Sequence, residues 1–424
     1  MDGKDVVRSQ TFFDPWLICE HPEIDALVSR AVEDGERETE RNRIRKRRDK
    51  DREAFHSLAR TLVANAAYAL ALGLEPPTIG ISLARPSGPR SRYDGQSLRQ
   101  IDAVLATVAP SLVTITRSRH KGIASVLTPG DDLVDCVAGL ADFGASWFKR
   151  AGGETIIVRR VEHDYVSDTR RVVNVDYGDS PETLRLHDEL RRINAVIGAA
   201  DLSFVGDVHV DTGQRRLRRI FNTLDDRPRF DLNGRLSGGW WENLERGQRH
   251  GIRIDGEPVA DLDFAAMFLC LAYARAGLEP PAGDLYAGIL SDSLVGHYRD
   301  GVKQVVNAML SRATQLTRLP KGSKELLPNG CNGRSIREAV LSRHAAIRDQ
   351  FGVGAGASLM LAESNILVAV LLRLIDLHIV ALPMHDGLMV RPNDAAMALE
   401  VMREVSREQT GFELPAMMKP LDGP

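Results

Sequence analysis

Hydrophobic positions along the chain fall into two periods, and their alternation predicts a protein of mixed helix and strand. Apolar residues recur at helical spacing over 54–72, and a strand-like run follows at 78–83. Gln96-Ser97 opens a second helix over 98–108, which Pro110 closes. Two apolar stretches, 112–116 and 123–127, then flank Arg117-Ser118-Arg119-His120-Lys121-Gly122 and predict a β-hairpin with a basic tip. Further strands are expected at 155–158 and 171–175. Pro181 opens a helix over 182–199 whose Leu186, Leu190, Ile193 and Ile197 share one face. Towards the C-terminus an amphipathic helix is expected over 335–351, and a nearly all-apolar one over 359–377. The second carries one polar cluster, Glu363, Ser364 and Asn365, near its start. A helix apolar all round belongs in a core, here beneath a sheet.

Two stretches bring acids into this pattern. Residues 257–264, Glu-Pro-Val-Ala-Asp-Leu-Asp-Phe, read as a strand leading into a helix, which puts Asp261 and Asp263 on the same face. Neighbouring carboxylates repel each other unless a cation, an arginine or solvent relieves them. Residues 379–390 read as strand, turn and strand, with His385-Asp386-Gly387 at the tip. If this hairpin pairs with the first strand, Asp263 and Asp386 meet, as a pair of Mg²⁺ ions in phosphoryl transfer requires. Taken alone, each piece has a plainer account, an N-cap for the next helix or a tight turn. Between the acids, Arg299, Lys303 and Asn307 are spaced by four and share a helix face. A planar arginine and a lysine point charge there form a fork suited to a polyphosphate.

The order and chemistry of these motifs resemble the family A DNA polymerases over roughly residues 213–415. Gly234-Arg235-Leu236-Ser237, followed by Asn243-Leu244, looks like the family's primer–template segment. Asp263-Phe264 is similar to its Asp-Tyr motif, and Asp284-Leu285-Tyr286 to the Asp-Ile-His element that follows. Arg299 and Lys303 match the Arg-x-x-x-Lys of the fingers helix, and His385-Asp386 the His-Asp of the last motif. The resemblance implies Asp263 and Asp386 as catalytic ligands of two Mg²⁺ ions, with Asp261 in support. Arg299, Lys303 and Asn307 would bind the nucleotide, and Arg235, Asn243 and His385 the primer–template. The chain departs from the family at three places. Gly387 stands where the family has a third acid, Asn307 and Ser311 replace stacking aromatics, and Phe268 replaces a Glu beside the sugar 2′ position. The spacing between motifs is short, which implies reduced fingers.

Composition then bounds the rest. The 424 residues suffice for two to three domains, and 43% hydrophobic and 27% charged residues are typical of a globular protein. A net charge of −3 confines any nucleic-acid footprint to a local patch. That patch is expected in the N-terminal third, where residues 41–121 hold sixteen Lys or Arg against six Asp or Glu. It includes the block 41–50 and the hairpin tip, whose Arg117, Arg119 and Lys121 would contact the DNA backbone. Helix plus basic hairpin looks like the wing of a winged-helix domain, as in plasmid and phage replication initiators. Cys19, Cys136, Cys270 and Cys331 are scattered, which suggests reduced packing thiols in a cytoplasmic protein, and no apolar run approaches a membrane span of roughly 20 residues.

The expected fold class is therefore α+β. A charged arm is expected over 1–53, a winged-helix-like nucleic-acid-binding domain over 54–150 and a connector or reduced thumb over 151–212. A polymerase-like palm with reduced helical fingers would occupy 213–424. The expected activity is that of a DNA-directed DNA polymerase acting on a primer–template with deoxynucleoside triphosphates. A non-catalytic initiator or regulator with a degenerate palm, and a primase or RNA polymerase using ribonucleotides, stand as alternatives.

Overall fold

A computed structural model describes residues 11–40, 48–81, 83, 101–108, 110–118, 124–150, 152–164, 169–208, 210–290 and 295–420. The chain is α+β and divides into two compact units, 1–154 and 155–424.

The first unit runs β1 (Thr11–Phe12), β2 (Leu17–Cys19), α1 (Pro22–Glu40), α2 (Asp49–Ala71), β3 (Ile79–Ile81), α3 (Ile101–Thr107), β4 (Val113–Thr116), β5 (Ser125–Pro129), α4 (Asp131–Ala138) and β6 (Phe148–Arg150). One sheet has the order β1-β3-β5-β4, and β2 pairs with β6. The helix expected at 54–72 is α2, and it forms the core through Phe55, Leu58, Leu62, Val63 and Ala66. Its buried Asn65 is satisfied on both sides, accepting from the Asp14 amide at 2.8 Å and donating to the carbonyls of Asp14 and Thr61. Where a charged arm is expected, α1 instead packs into this core. Ile24, Val28 and Val32, spaced by four, make a buried stripe on an otherwise charged helix. The expected hairpin forms with β4 antiparallel to β5, Thr116 opposite Val126. Arg117 at its end is ion-paired with Asp102. Arg119, Lys121 and the basic run 41–47 lie outside the described residues.

The second unit begins with β7 (Ile156–Asp164), β8 (Thr169–Asn174), α5 (Pro181–Ala199), β9 (Leu202–Phe204), β10 (Arg218–Asn222), β11 (Asn233–Ser237), β12 (Ile252–Ile254) and β13 (Glu257–Pro258). It continues with β14 (Ala260–Phe264), α6 (Met267–Arg275), α7 (Val295–Ser311), α8 (Gly333–Arg343), α9 (Gly356–Asp376), β15 (Leu382–Met384), β16 (Gly387–Val390), α10 (Ala395–Thr410) and β17 (Ala416–Lys419). The stretch expected as a connector supplies β7 and β8, which share a sheet of order β11-β10-β7-β8 with strands from the part expected as a palm. The second sheet, β15-β16-β14-β17, carries the acids, and a third is β13-β12-β9.

Helix α9 runs against α5, α6, α10 and β11. By length and composition it is apolar enough to cross a membrane, contrary to the expectation that no run approaches that length, and half of its most apolar window is buried inside the unit. The helix expected over 335–351 is interrupted. It ends at Arg343, where His344 leaves helical geometry at φ −112° and ψ 43° and a 3₁₀ turn follows over Ala345–Gln350. The His344 ring is wholly buried, with Nδ1 2.9 Å from the Tyr273 hydroxyl. Burial, reinforced by the Arg343 charge, pushes its pKa down to about 4.

Candidate functional site

Strand β14 lies between β16 and β17, and its register decides what meets what. Asp263 is opposite Gly387 and Asp261 opposite Met389 on β16; on β17, Asp261 is opposite Lys419. The β15–β16 hairpin pairs Met384 with Gly387, leaving His385 and Asp386 as its two-residue tip. His385 takes φ +55°, the left-handed geometry a tight hairpin demands. Asp386 is therefore adjacent in sequence to Gly387, the residue that faces Asp263, itself only 6% exposed and not among the residues lining the cavity described below.

Gly387 allows this approach. A Cβ there would sit 2.2 Å from the Leu262 carbonyl oxygen and 2.9 Å from Asp263 Oδ1, so only a glycine backbone can close on the acid strand. Position 387, where the resemblance implies a third acid, thus has no room for a side chain. Behind the hairpin, the fully buried Trp241 donates its indole N–H to the Pro383 carbonyl at 2.8 Å. This bond ties the 3₁₀ turn Trp240–Asn243, which follows the Gly-Arg-Leu-Ser segment, to strand β15.

Arg235 is positioned by a β-bulge. Asn233 and Gly234 both have positive φ, and the β10–β11 register slips between Ile220 and Phe221. The Gly234 carbonyl accepts from Arg219 Nε at 2.8 Å and from the Ser364 hydroxyl. Arg219 is itself buried, and desolvation pulls its pKa down to about 10 against the pull of Glu189. Arg235 reaches from the bulge to α9, where its Nε and Nη2 donate to Glu363 Oε1 at 2.8 and 2.7 Å. Its guanidinium also lies 5.7 Å from the centre of the Phe268 ring. Glu363 is 2% exposed. Burial pushes its pKa up to about 7; Arg235 works against that shift and the Asp386 charge adds to it.

Helix α7 brings the fork of cations, and the structure splits it. Lys303 and Asn307 line a cavity of about 500 Å³ together with Arg235, Glu363, His385 and Asp386; Phe268, Tyr286 and Ser311 also face it. Among the described residues, the buried Asn307 Oδ1 has no hydrogen-bond partner. Arg299 is not among the lining residues. Its Nε and Nη2 grip Asp284 at 2.8 and 3.1 Å, and its guanidinium sits over the Tyr286 ring at 5.0 Å. Partial burial pushes the Asp284 carboxyl up, but Arg299 and the Tyr286 amide outweigh it and hold the group below its ordinary range. Asn243 is exposed at the end of a 3₁₀ turn and does not line the cavity either.

On the side of β17, Lys419 makes an ion pair with Asp263 Oδ2. Asp261, on the same strand face, is raised by burial, an effect that Lys419, Arg249 and Arg246 oppose and Asp386 reinforces. Three carboxylates and three cations thus share this end of the sheet. Mg²⁺ takes hard oxygen donors, commonly one or two carboxylates with phosphate and water completing the shell. Asp263 and Asp386 fit that donor set, and the Lys419 ammonium is a resident stand-in for positive charge at Asp263. Among the described residues no three His, Cys, Asp or Glu side chains converge on one point, so further ligands would come from substrate and water.

Two members of this constellation, Glu363 and Lys419, are absent from the expected site residues. The polar cluster in an otherwise apolar α9 is a visible signal for Glu363. For Lys419 the local pattern holds none, because its role depends on β17 pairing with β14. No protein-family model matches the chain, and no curated protein matches it.

Proposed function

We propose that the chain is a template-dependent DNA polymerase of family A type, with a palm-like second unit, reduced fingers around α7 and a winged-helix-like DNA-binding first unit. One observation carries the reading. Residues matching three motifs of that family, Arg235, Lys303 and the pair His385 and Asp386, line one cavity although they lie up to 151 positions apart in sequence. Asp263 lies against the backbone of the hairpin tip that bears Asp386.

The reaction is attack of a primer 3′-oxygen on the α-phosphate of a nucleotide, with pyrophosphate leaving. Asp263 and Asp386 would hold Mg²⁺, which when bound supplies Lewis-acid activation of the 3′-hydroxyl and offsets charge on the departing pyrophosphate. Lys303 lines the cavity, and its ammonium would hold the triphosphate as a point charge. Arg299, clamped by Asp284 and stacked on Tyr286, would fix the first turns of α7 and reach the phosphates only by exchanging partners. Arg235 would present its guanidinium to the minor-groove edge of the terminal pair while Glu363 fixes its direction. Asn307 offers an unpaired carbonyl oxygen where an aromatic ring stacks in the family, so it would position the nucleotide by hydrogen bonding rather than stacking. Phe268, held under Arg235, is the bulk nearest the expected sugar site and favours deoxyribose.

A second reading has its own support. The close approach of Gly387 leaves no place for a third carboxylate and Lys419 already neutralises Asp263, which favours a non-catalytic nucleic-acid-binding initiator or regulator. Primer extension with purified protein, Mg²⁺ and either deoxy- or ribonucleoside triphosphates separates the readings. Extension with deoxynucleotides supports the polymerase, a preference for ribonucleotides makes it a primase or RNA polymerase, and no extension with either leaves the binder.

A further inference from the structure

Strand β17 forms one edge of the acid-bearing sheet, and its last residue reaches back across the face that carries Asp261 and Asp263. The two oxygens of Asp263 have different surroundings. Oδ1 lies against the hairpin backbone, 2.9 Å from where a Gly387 Cβ would be. Oδ2 is taken by the Lys419 ammonium. The carboxylate is nearly buried, whereas the Lys419 side chain is 42% exposed, so the pair sits at the mouth of the site with its cation on the solvent side. A lysine stem is long and flexible, and an ammonium in that position can swing away without disturbing the fold. A divalent cation that binds Asp263 through Oδ2 has to take that oxygen from the lysine.

We propose that Lys419 is a tethered counter-ion of Asp263, which neutralises the acid face when no divalent cation is bound and competes with that cation for Oδ2. Without it, Asp261, Asp263 and Asp386 would repel one another across a partly desolvated face. Arg246 and Arg249 add positive charge near Asp261, whereas Lys419 is ion-paired with Asp263 itself. The lysine thus lets an apo site of three neighbouring acids keep its hairpin register, and sets a threshold concentration for the metal. The inference rests on Asp263 being a cation ligand, as in the proposed function, but not on nucleotidyl transfer.

The test is a Mn²⁺ titration of the full chain, followed by the decrease of the free-ion paramagnetic resonance signal, with neither nucleic acid nor nucleotide present. Lys419→Met keeps the length of the stem and removes the charge, Lys419→Arg keeps the charge, and Lys419→Gln repeats the test if the methionine variant folds poorly. Removing one partly exposed competing ammonium is expected to tighten Mn²⁺ binding about three- to thirtyfold in Lys419→Met. Lys419→Arg should stay within about twofold of wild type by the same reasoning. Adding Asp263→Asn should abolish the gain. Equal Mn²⁺ affinity in wild type and Lys419→Met, or a gain that survives Asp263→Asn, overturns the proposal, as does the absence of Mn²⁺ binding in every variant. Primer extension run in parallel keeps the two readings apart. Tighter Mn²⁺ binding through Asp263 without extension keeps the counter-ion and removes the polymerase; extension with unchanged Mn²⁺ affinity does the reverse.

Discussion

Glu363→Gln changes one atom and should flatten the pH dependence of stability in the second unit. Glu363 is 2% exposed and its pKa is pushed from 4.5 to about 7, burial being the larger cause. In the unfolded chain it ionises near its ordinary value, so between those limits the native state binds the extra proton. Stability from this group is therefore fully present below about pH 4.5 and is lost as pH rises to about 7. At about 1.36 kcal/mol per unit of pKa, that amounts to roughly 2–4 kcal/mol. Glutamine keeps the volume and can still accept from Arg235, so it mimics the protonated acid without the titration. The assay is urea unfolding of both proteins at pH 5, 6, 7 and 8. Emission from Trp240 and Trp241 reports the second unit, Trp16 and Trp147 the first. The stability difference between variant and wild type should move in favour of glutamine by those few kcal/mol from pH 5 to pH 8. A difference constant to within about 0.5 kcal/mol would show that Arg235 keeps Glu363 ionised throughout, and that desolvation does not govern it.

Four further outcomes are expected. Lys303→Ala should lower kcat/KM for nucleotide about ten- to a hundredfold, because one charge-assisted hydrogen bond to the triphosphate is removed, while primer–template affinity stays within about threefold. Arg299→Ala, read in the same steady-state titration, should cost less, because Asp284 and Tyr286 already hold that guanidinium. Gly387→Ala should destabilise the second unit by about 1–3 kcal/mol or more in urea unfolding, since its Cβ meets the Leu262 carbonyl oxygen at 2.2 Å; wild-type stability would mean the hairpin can yield. Replacing Arg117, Arg119 and Lys121 by Ala should weaken duplex binding and flatten its salt dependence by roughly one unit of slope for each phosphate no longer neutralised. An unchanged slope would mean the hairpin is not a DNA wing.

Local periodicity made α2, α5, α9 and the β15–β16 hairpin legible, because each is decided by residues within a few positions of one another. The same holds for the faces of β14 and α7. What is not legible locally depends on distant partners. Glu363 meets Arg235 across 128 residues, and Lys419 meets Asp263 only because β17 adds to the edge of the sheet beside β14. In α1 the three-residue apolar stripe is masked by the charges around it, although Ile24, Val28 and Val32 at spacing four suffice to bury one face. Arg299 and Lys303 share a face as their spacing requires, yet an acid fifteen residues upstream of Arg299 diverts it from the cavity. Helix α8 ends early for a similar reason, since His344 is drawn into the core by Tyr273, 71 residues away. Periodicity can place a side chain on a face; which partner competes for it is a tertiary matter.

The central claim is that Asp263 on β14 and Asp386 at the hairpin tip paired with it carry Mg²⁺-dependent nucleotidyl transfer. Single-nucleotide incorporation on a primed template, with wild type, Asp263→Asn and Asp386→Asn compared at saturating Mg²⁺ and matched DNA binding, tests it most directly. The account predicts extension by wild type and its loss in each single variant, with primer–template affinity retained. Near-normal turnover in either variant, or no incorporation by wild type, contradicts it.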